Sequence, residues 1–222
     1  MMWNAPGGLN VVLFFLMGSG IFALIGFKFW SLKVNPFRDF GIAVAMFGLA
    51  FLGWGLVIAL KPAELAMPVA LSIVPFVLGF LFLVSSATFN WQKRNRLLTF
   101  VIAAVFLVSL FVLRTLVLPS DPHFSENGLL YFGAKPEVLI LYVLAFGGAF
   151  MPALHVVSSR MSVWRQAALT RIFFNLIVLG GVILMVSMDD QLQYLNSLIL
   201  SVGFIGLLVN IGFGKIQVEN KS

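Results

Sequence analysis

The sequence has no cysteine among its 222 residues, and only 10% of its residues are charged. Without cysteine the protein can have no disulfide, no catalytic thiolate, no iron–sulfur cluster and no cysteine-bound zinc. The low charge and the 61% share of apolar residues lie outside the range of soluble globular domains. The chain is therefore expected to be a multi-pass integral membrane protein that has the bilayer as its solvent.

The short segments of alternating polarity that are typical of a membrane β-barrel are also missing. Long apolar runs take their place, and the first of them reads LNVVLFFLMGSGIFALIGF. Because about 20 apolar residues cross a bilayer as one helix, we predict an all-α fold in which residues 1–222 form a single seven-helix transmembrane bundle. The predicted spans are 9–27, 40–60, 66–88, 97–118, 138–157, 169–188 and 192–213.

The charged residues between these spans are distributed unevenly. The odd-numbered loops and the C-terminal tail hold eleven of the fourteen Lys and Arg residues, whereas the even-numbered loops hold six of the eight acidic residues. Loops rich in Lys and Arg stay in the cytoplasm, so the N-terminus is predicted outside and the C-terminus inside, in a plasma or inner membrane. Trp30, Trp91 and Trp164 fall at the predicted cytoplasmic boundary, where indole rings are favoured. The positive-inside distribution thus accounts for the formal charge of +6, and no nucleic acid partner is expected.

Polar side chains are few in the predicted spans, and most of them fall in the cytoplasmic half. Such groups are candidates for function because burying them in a membrane is unfavourable. They can bond neighbouring helices to one another, or form a ligand-binding or proton-responsive group around the histidine, which titrates near neutrality. The residues predicted to share this depth are His155, Arg171, Asn175, Asn210 and Asn90.

At the outer ends of the helices, Arg114 is predicted to form an ion pair with Glu137, Asp189 or Asp190 across the mouth of the bundle. The fourth loop, residues 119–137, combines turn dipeptides with several aromatic residues. This composition predicts a segment that folds back over the bundle.

Two prolines lie inside predicted spans, Pro75 in the third and Pro152 in the fifth. Each removes one helical hydrogen bond and favours a kink. They are interpreted either as bends that help the helices pack or as hinges. The glycines at 147, 148, 180, 181, 203 and 206 are predicted to allow close helix approach.

Several chemistries lack the residues that they require. A retinal Schiff base needs a lysine within the last helix, but Lys215 lies beyond it. Haem ligation or a zinc hydrolase needs histidines at one depth, but His123 and His155 are at opposite ends of the bundle. No Asp or Glu lies within a span, which disfavours ion-coupled transport. We therefore expect neither an enzyme, nor a metal site, nor a cofactor.

In helix number and orientation the chain is similar to the seven-helix sensory modules of some bacterial histidine kinases and cyclases. The predicted function is a non-catalytic sensor-like module, or an accessory subunit of a membrane complex, whose basic cytoplasmic face contacts anionic lipids and another membrane or cytoplasmic protein chain. The residues predicted to make these contacts are Lys93, Arg94, Arg96, Arg160 and Arg165. The alternative is a carrier or channel for a neutral or lipid-like solute, which would need a continuous cavity that reaches mid-membrane.

Overall fold

The computed structural model describes residues 8–60, 66–118, 121–126, 130–131, 133, 135–186 and 190–218. The fold is helical, and the described residues form seven α-helices. Their bounds are α1 Gly8–Ser31, α2 Phe37–Leu60, α3 Ala66–Ala87, α4 Lys93–Val112, α5 Pro136–Ser158, α6 Trp164–Val186 and α7 Asp190–Leu207. One π-helical turn extends α4 over Leu113–Val117, and another extends α7 over Leu208–Gly212.

Within the described residues, six of these helices are long and apolar enough to cross a membrane, in agreement with the predicted multi-pass integral membrane protein. In α3 the apolar stretch found among the described residues is the shorter Ile73–Ala87. The helices also run past several predicted spans: α1 reaches Ser31, and α6 begins at Trp164. Helical hydrogen bonding needs no change where the chain leaves the hydrocarbon, so a helix continues into the headgroup region although its residues become polar.

The helices other than α4 form a ring in the order α1, α2, α3, α5, α6, α7, and α7 closes it against α1. The described part of α4 lies outside this ring and packs mainly on α3. Leu107 and Leu110 are its buried side chains, whereas Leu97, Val101 and Val105 are all more than half exposed. Most of α4 therefore presents apolar surface to the surroundings, as a helix in lipid can.

The centre of the ring is packed with phenylalanine. Phe29, Phe37 and Phe40 are fully buried between α1 and α2. Phe40 meets Phe174 of α6 edge to face, with ring centroids 5.4 Å apart, and Phe22 of α1 meets Phe204 of α7 at 4.9 Å. Edge-to-face pairs are the favoured arrangement of aromatic rings, so they fix how the helices sit across the ring.

Helices α1 and α2 make the closest contact in the bundle through a repeat of glycines on α2. Gly41, Gly48 and Gly55 recur every seven residues and all face α1. A Cβ atom added to Gly41 would lie 2.5 Å from the backbone nitrogen of Trp30 and 2.6 Å from the carbonyl oxygen of Gly26. Backbone therefore rests on backbone at this point, the kind of approach that small residues permit in membranes.

The glycines singled out from the sequence divide into two groups. Gly180 and Gly203 let α6 and α7 approach closely, because an added Cβ would clash with Leu200 or Ile177 respectively. A Cβ on Gly147 or Gly148 would meet nothing within 4 Å. Gly180 and Gly203 thus act as predicted, whereas Gly147, Gly148 and also Gly181 of α6 allow no close approach, because an added Cβ there meets no described residue.

The loop between α4 and α5 contains a short hairpin. Strand β1, His123–Phe124, pairs antiparallel with strand β2, Leu130–Tyr131. Tyr131 is buried, and Phe124 packs against the main core. The described part of this loop therefore folds back over the bundle, as its aromatic content predicts.

Candidate functional site

Most of the polar contacts in the described residues gather at one end of the bundle, which we call the basic end. It contains the C-terminal ends of α1, α3 and α5, the N-terminal ends of α2, α4 and α6, and the segment that follows α7. Hydrogen bonds between these parts show that they lie at the same level. The opposite end carries the hairpin and is called the acidic end.

A buried carboxylate joins three helices at the basic end. Asp39 in the first turn of α2 is 5% exposed, and its Oδ2 accepts a 2.6 Å hydrogen bond from the hydroxyl of Ser85 on α3. Arg96 of α4 donates to the same hydroxyl at 2.7 Å and lies 3.6 Å from the carboxylate. The second carboxylate oxygen lies 3.6 Å from Arg38. Two cations and the N-terminus of α2 thus compensate the charge of Asp39.

A second pair of contacts ties α5 and α6 to their surroundings. Arg160, in the turn after α5, donates a 2.8 Å hydrogen bond to Asn90 after α3 and lies over the ring of Phe89, 4.8 Å from its centroid. Arg171 of α6 donates through Nε to the buried hydroxyl of Ser158 on α5 at 2.5 Å. Both arginines therefore hold helix ends together.

The third group joins α6 to the π-helical end of α7. The side-chain amide of Asn210 donates to the carbonyl of Gln166 at 3.1 Å and to the hydroxyl of Thr170 at 2.9 Å. Gln166 returns a hydrogen bond to the carbonyl of Asn210 at 3.1 Å. The exchange in both directions fixes the register of the two helices at this level.

The segment after α7 lies against the basic end. Lys28 of α1 donates through Nζ to the carbonyl of Gly214 at 2.9 Å. The amide of Ser162 donates to the carbonyl of Gln217 at 3.0 Å, and Met161 forms an antiparallel bridge with Val218. This end of the chain is therefore part of the basic surface up to residue 218.

Five exposed cations on this surface remain available to an external group: Lys33, Lys93, Arg94, Arg165 and Lys215. Their own side chains form no ion pair or hydrogen bond with another described residue. Arg96 and Arg160 are also predicted as partner contacts, but their guanidinium groups form hydrogen bonds within the protein. The basic end is thus a braced surface with unpaired positive charge.

The five polar residues predicted to share one depth do not meet as a single cluster. Arg171 bonds to Ser158, Asn210 to α6, and Asn90 to Arg160. His155 is exposed, and the side-chain oxygen of Asn175 is buried without a partner among the described residues. The arrangement corresponds to three separate contacts between helix ends.

The predicted ion pair at the acidic end falls largely outside the described structure. Asp189 and the side chains of Arg114 and Asp190 lie outside the described residues. Glu137 is exposed in the first turn of α5, where a carboxylate interacts favourably with the helix dipole.

Both predicted hinge prolines lie inside continuous helices, Pro75 in α3 and Pro152 in α5. Pro152 is exposed, whereas Pro75 is partly buried and precedes Phe76. Phe76 lines a cavity of about 70 Å³ between α1, α2, α3, α5 and α6. The lining is wholly apolar and mostly aromatic: Phe22, Phe47, Phe51, Trp54, Phe76, Leu139, Phe150, Phe174, Ile177, Val178, Gly181 and Val182. The cavity therefore offers no polar group to a solute.

Sequence reasoning missed the contact between Asp39, Ser85 and Arg96. A signal was present, because Asp39 is one of only two acidic residues in the basic loops and tail, and an isolated carboxylate among cations is expected to be paired. Its partner Ser85 carries no such signal, because a serine near a helix end is common.

The exposed cations of this arrangement can attract and bind anions. No group of three or more His, Asp or Glu side chains comes together within the described residues in a way that could hold a metal ion. Comparisons of the chain with protein-family models, with curated proteins and with solved structures gave no significant match.

Proposed function

We propose that this protein is a non-catalytic membrane protein, a sensor-like module or accessory subunit that acts through its basic end on a partner chain. The observation that supports the proposal most is that some cations of the basic end form internal contacts whereas others remain unpaired. Arg96, Arg160 and Arg171 brace the helix ends, whereas Lys93 and Arg94 at the start of α4 are exposed and unpaired in the described structure. A surface that internal hydrogen bonds hold in place and that carries unpaired positive charge is suited to recognise an acidic partner.

The proposal includes seven spans with the N-terminus outside and the basic end in the cytoplasm. The distribution of Lys and Arg along the sequence supports this orientation. The exposure of Trp30, Trp91 and Trp164 supports a position of the basic end at a membrane interface, since indole rings favour both interfaces. Because the chain has no native cysteine, a single cysteine can be placed at either end and treated in intact cells with a membrane-impermeant thiol reagent. Any label on the purified chain then comes from the introduced cysteine and shows which end is outside.

The test of the function is co-purification from native membranes in a mild detergent at natural expression level, followed by mass spectrometry. The wild-type chain is expected to bring down a partner in a fixed ratio. The double variant Lys93→Glu/Arg94→Glu is expected to lose that partner, whereas the control Glu126→Lys at the acidic end retains it. A wild-type chain that purifies alone would overturn the proposal.

A carrier for a lipid-like solute is the second candidate, and the apolar cavity is the observation that favours it. The cavity lies between five helices and has only apolar walls, so it suits a hydrocarbon and not a polar solute. Its volume of about 70 Å³ is below that of an engineered 150 Å³ cavity that binds benzene. Transport would thus require the helices to separate. The test is equilibrium binding of a fluorescent fatty acid to the purified protein, since this ligand fits only if the helices separate.

A further inference from the structure

A groove runs between α6 and α7 at the basic end. Its volume is about 560 Å³, and it is separate from the apolar cavity. Nine residues line it: Val163, Arg165, Gln166, Leu169, Phe173, Gly206, Val209, Asn210 and Lys215. Its lining therefore combines two cations with a majority of apolar groups.

Contacts between α6 and the end of α7 fix the shape of the groove. Gly206 has no side chain where the ring of Phe173 lies, and an added Cβ would clash with that ring. Toward the basic end, Gln166 donates to the carbonyls of Asn210 at 3.1 Å and Lys215 at 3.3 Å. These contacts fix the backbone around both rims, so the groove exists before any ligand arrives.

The polarity of the lining changes along the groove. Arg165 follows Trp164, which is 80% exposed, and exposed tryptophans mark the headgroup level. Leu169 and Phe173 come one and two turns further into the membrane on α6, and Val209 faces them from α7 with 63% of its surface exposed. Arg165 and Lys215 therefore lie at the level of the lipid headgroups, and the apolar wall of the groove lies at the level of the acyl chains.

We propose that this groove binds one anionic phospholipid from the leaflet at the basic end. Arg165 and Lys215 hold the phosphate group, and an acyl chain lies along Leu169, Phe173 and Val209. The complementary charge selects an anionic headgroup, and the exposed apolar wall selects a lipid over a soluble anion. The site does not depend on the proposed partner, because neither Lys93 nor Arg94 lines the groove.

The proposal can be tested by native mass spectrometry of the protein exchanged into mixed micelles of phosphatidylcholine and phosphatidylglycerol. The wild-type protein is expected to retain one phosphatidylglycerol in preference to phosphatidylcholine. The double variant Arg165→Gln/Lys215→Gln is expected to lose about thirtyfold in this preference, which corresponds to about 1 kcal/mol for each cation near the surface.

Two further variants separate the groove from general surface charge. Lys93→Gln/Arg94→Gln removes the same charge from the same end and is expected to leave the preference unchanged. Val209→Trp narrows the groove without altering charge and is expected to weaken lipid binding; because Val209 is exposed, the change is compatible with folding, which gel filtration checks.

Three results would overturn the proposal. An equal loss in both double variants would show attraction by the whole basic end, and an unchanged Val209→Trp variant would show that the groove is not used. Displacement of the lipid by millimolar inorganic phosphate would indicate a site for soluble anions.

Discussion

The glycine repeat on α2 leads to a prediction about a single methyl group. The change Gly41→Ala places a Cβ 2.5 Å from the nitrogen of Trp30 and 2.6 Å from the oxygen of Gly26. Favourable contacts between carbon and other heavy atoms require about 3.5 Å. The two helices must therefore separate by about 1 Å at this level, since the atoms in the way belong to the backbone and cannot rotate aside.

The expected size of this effect follows from two opposing contributions. Overpacking a tight contact destabilises by about 3 kcal/mol at the upper end of its usual range, which applies where backbone meets backbone. Replacing glycine by alanine inside a helix stabilises by about 1 kcal/mol. Gly41→Ala should thus lower the free energy of unfolding by about 2 kcal/mol.

The matched control is Gly147→Ala in α5, because a Cβ there meets nothing within 4 Å. This variant keeps the helix contribution without the clash, so it should be as stable as the wild type or up to about 1 kcal/mol more stable. The assay is unfolding in mixed micelles of increasing dodecyl sulfate content, followed by tryptophan fluorescence. A Gly41→Ala variant at least as stable as Gly147→Ala would refute the close approach of α1 and α2.

Three other variant series probe the bundle by the same unfolding assay. Arg96→Gln should destabilise by about 2 kcal/mol, because it removes the charged donor to Ser85 and one of the two cations beside the buried Asp39 carboxylate. The neighbouring Arg94→Gln should change little, and equal effects would contradict the contact. Asn196 is 1% exposed, and neither polar atom of its amide group has a hydrogen-bond partner in the described structure. Asn196→Leu should therefore stabilise the protein by about 1 kcal/mol. Destabilisation would show that the amide group does have a hydrogen-bond partner. Gly181→Ala should stabilise by about 1 kcal/mol and reduce the binding of xenon, since it adds a methyl group to an open site in the wall of the small apolar cavity. Unchanged xenon binding would contradict this position for the methyl group.

Much of the fold could be predicted from the sequence because a bilayer leaves few choices. Apolar length alone located all seven helices, since each span must satisfy its own backbone hydrogen bonds. The peripheral position of α4 could not be predicted in this way. Its run from Leu97 to Val112 is as apolar as its neighbours, and apolar surface in a membrane can face lipid as well as protein.

The candidate site could be predicted less well, for a reason that the asparagines illustrate. Equal depth along parallel helices does not imply contact, because the direction of each side chain around its helix is not fixed by its depth. Asn210 donates to Thr170, whereas Asn175, predicted at the same depth, has a buried side-chain oxygen without a partner among the described residues. The heptad repeat of Gly41, Gly48 and Gly55, by contrast, is visible in the sequence and indicates the α1–α2 contact correctly.

The most direct test of the proposed function is site-specific cross-linking in native membranes. The absence of cysteine from the chain allows one thiol to be placed at the basic end by Arg94→Cys, or at the acidic end by His123→Cys, before treatment with a short thiol-to-amine cross-linker. The proposal predicts one discrete adduct with another protein from Arg94→Cys and none from His123→Cys. Adducts only from His123→Cys, or from neither position, would contradict it.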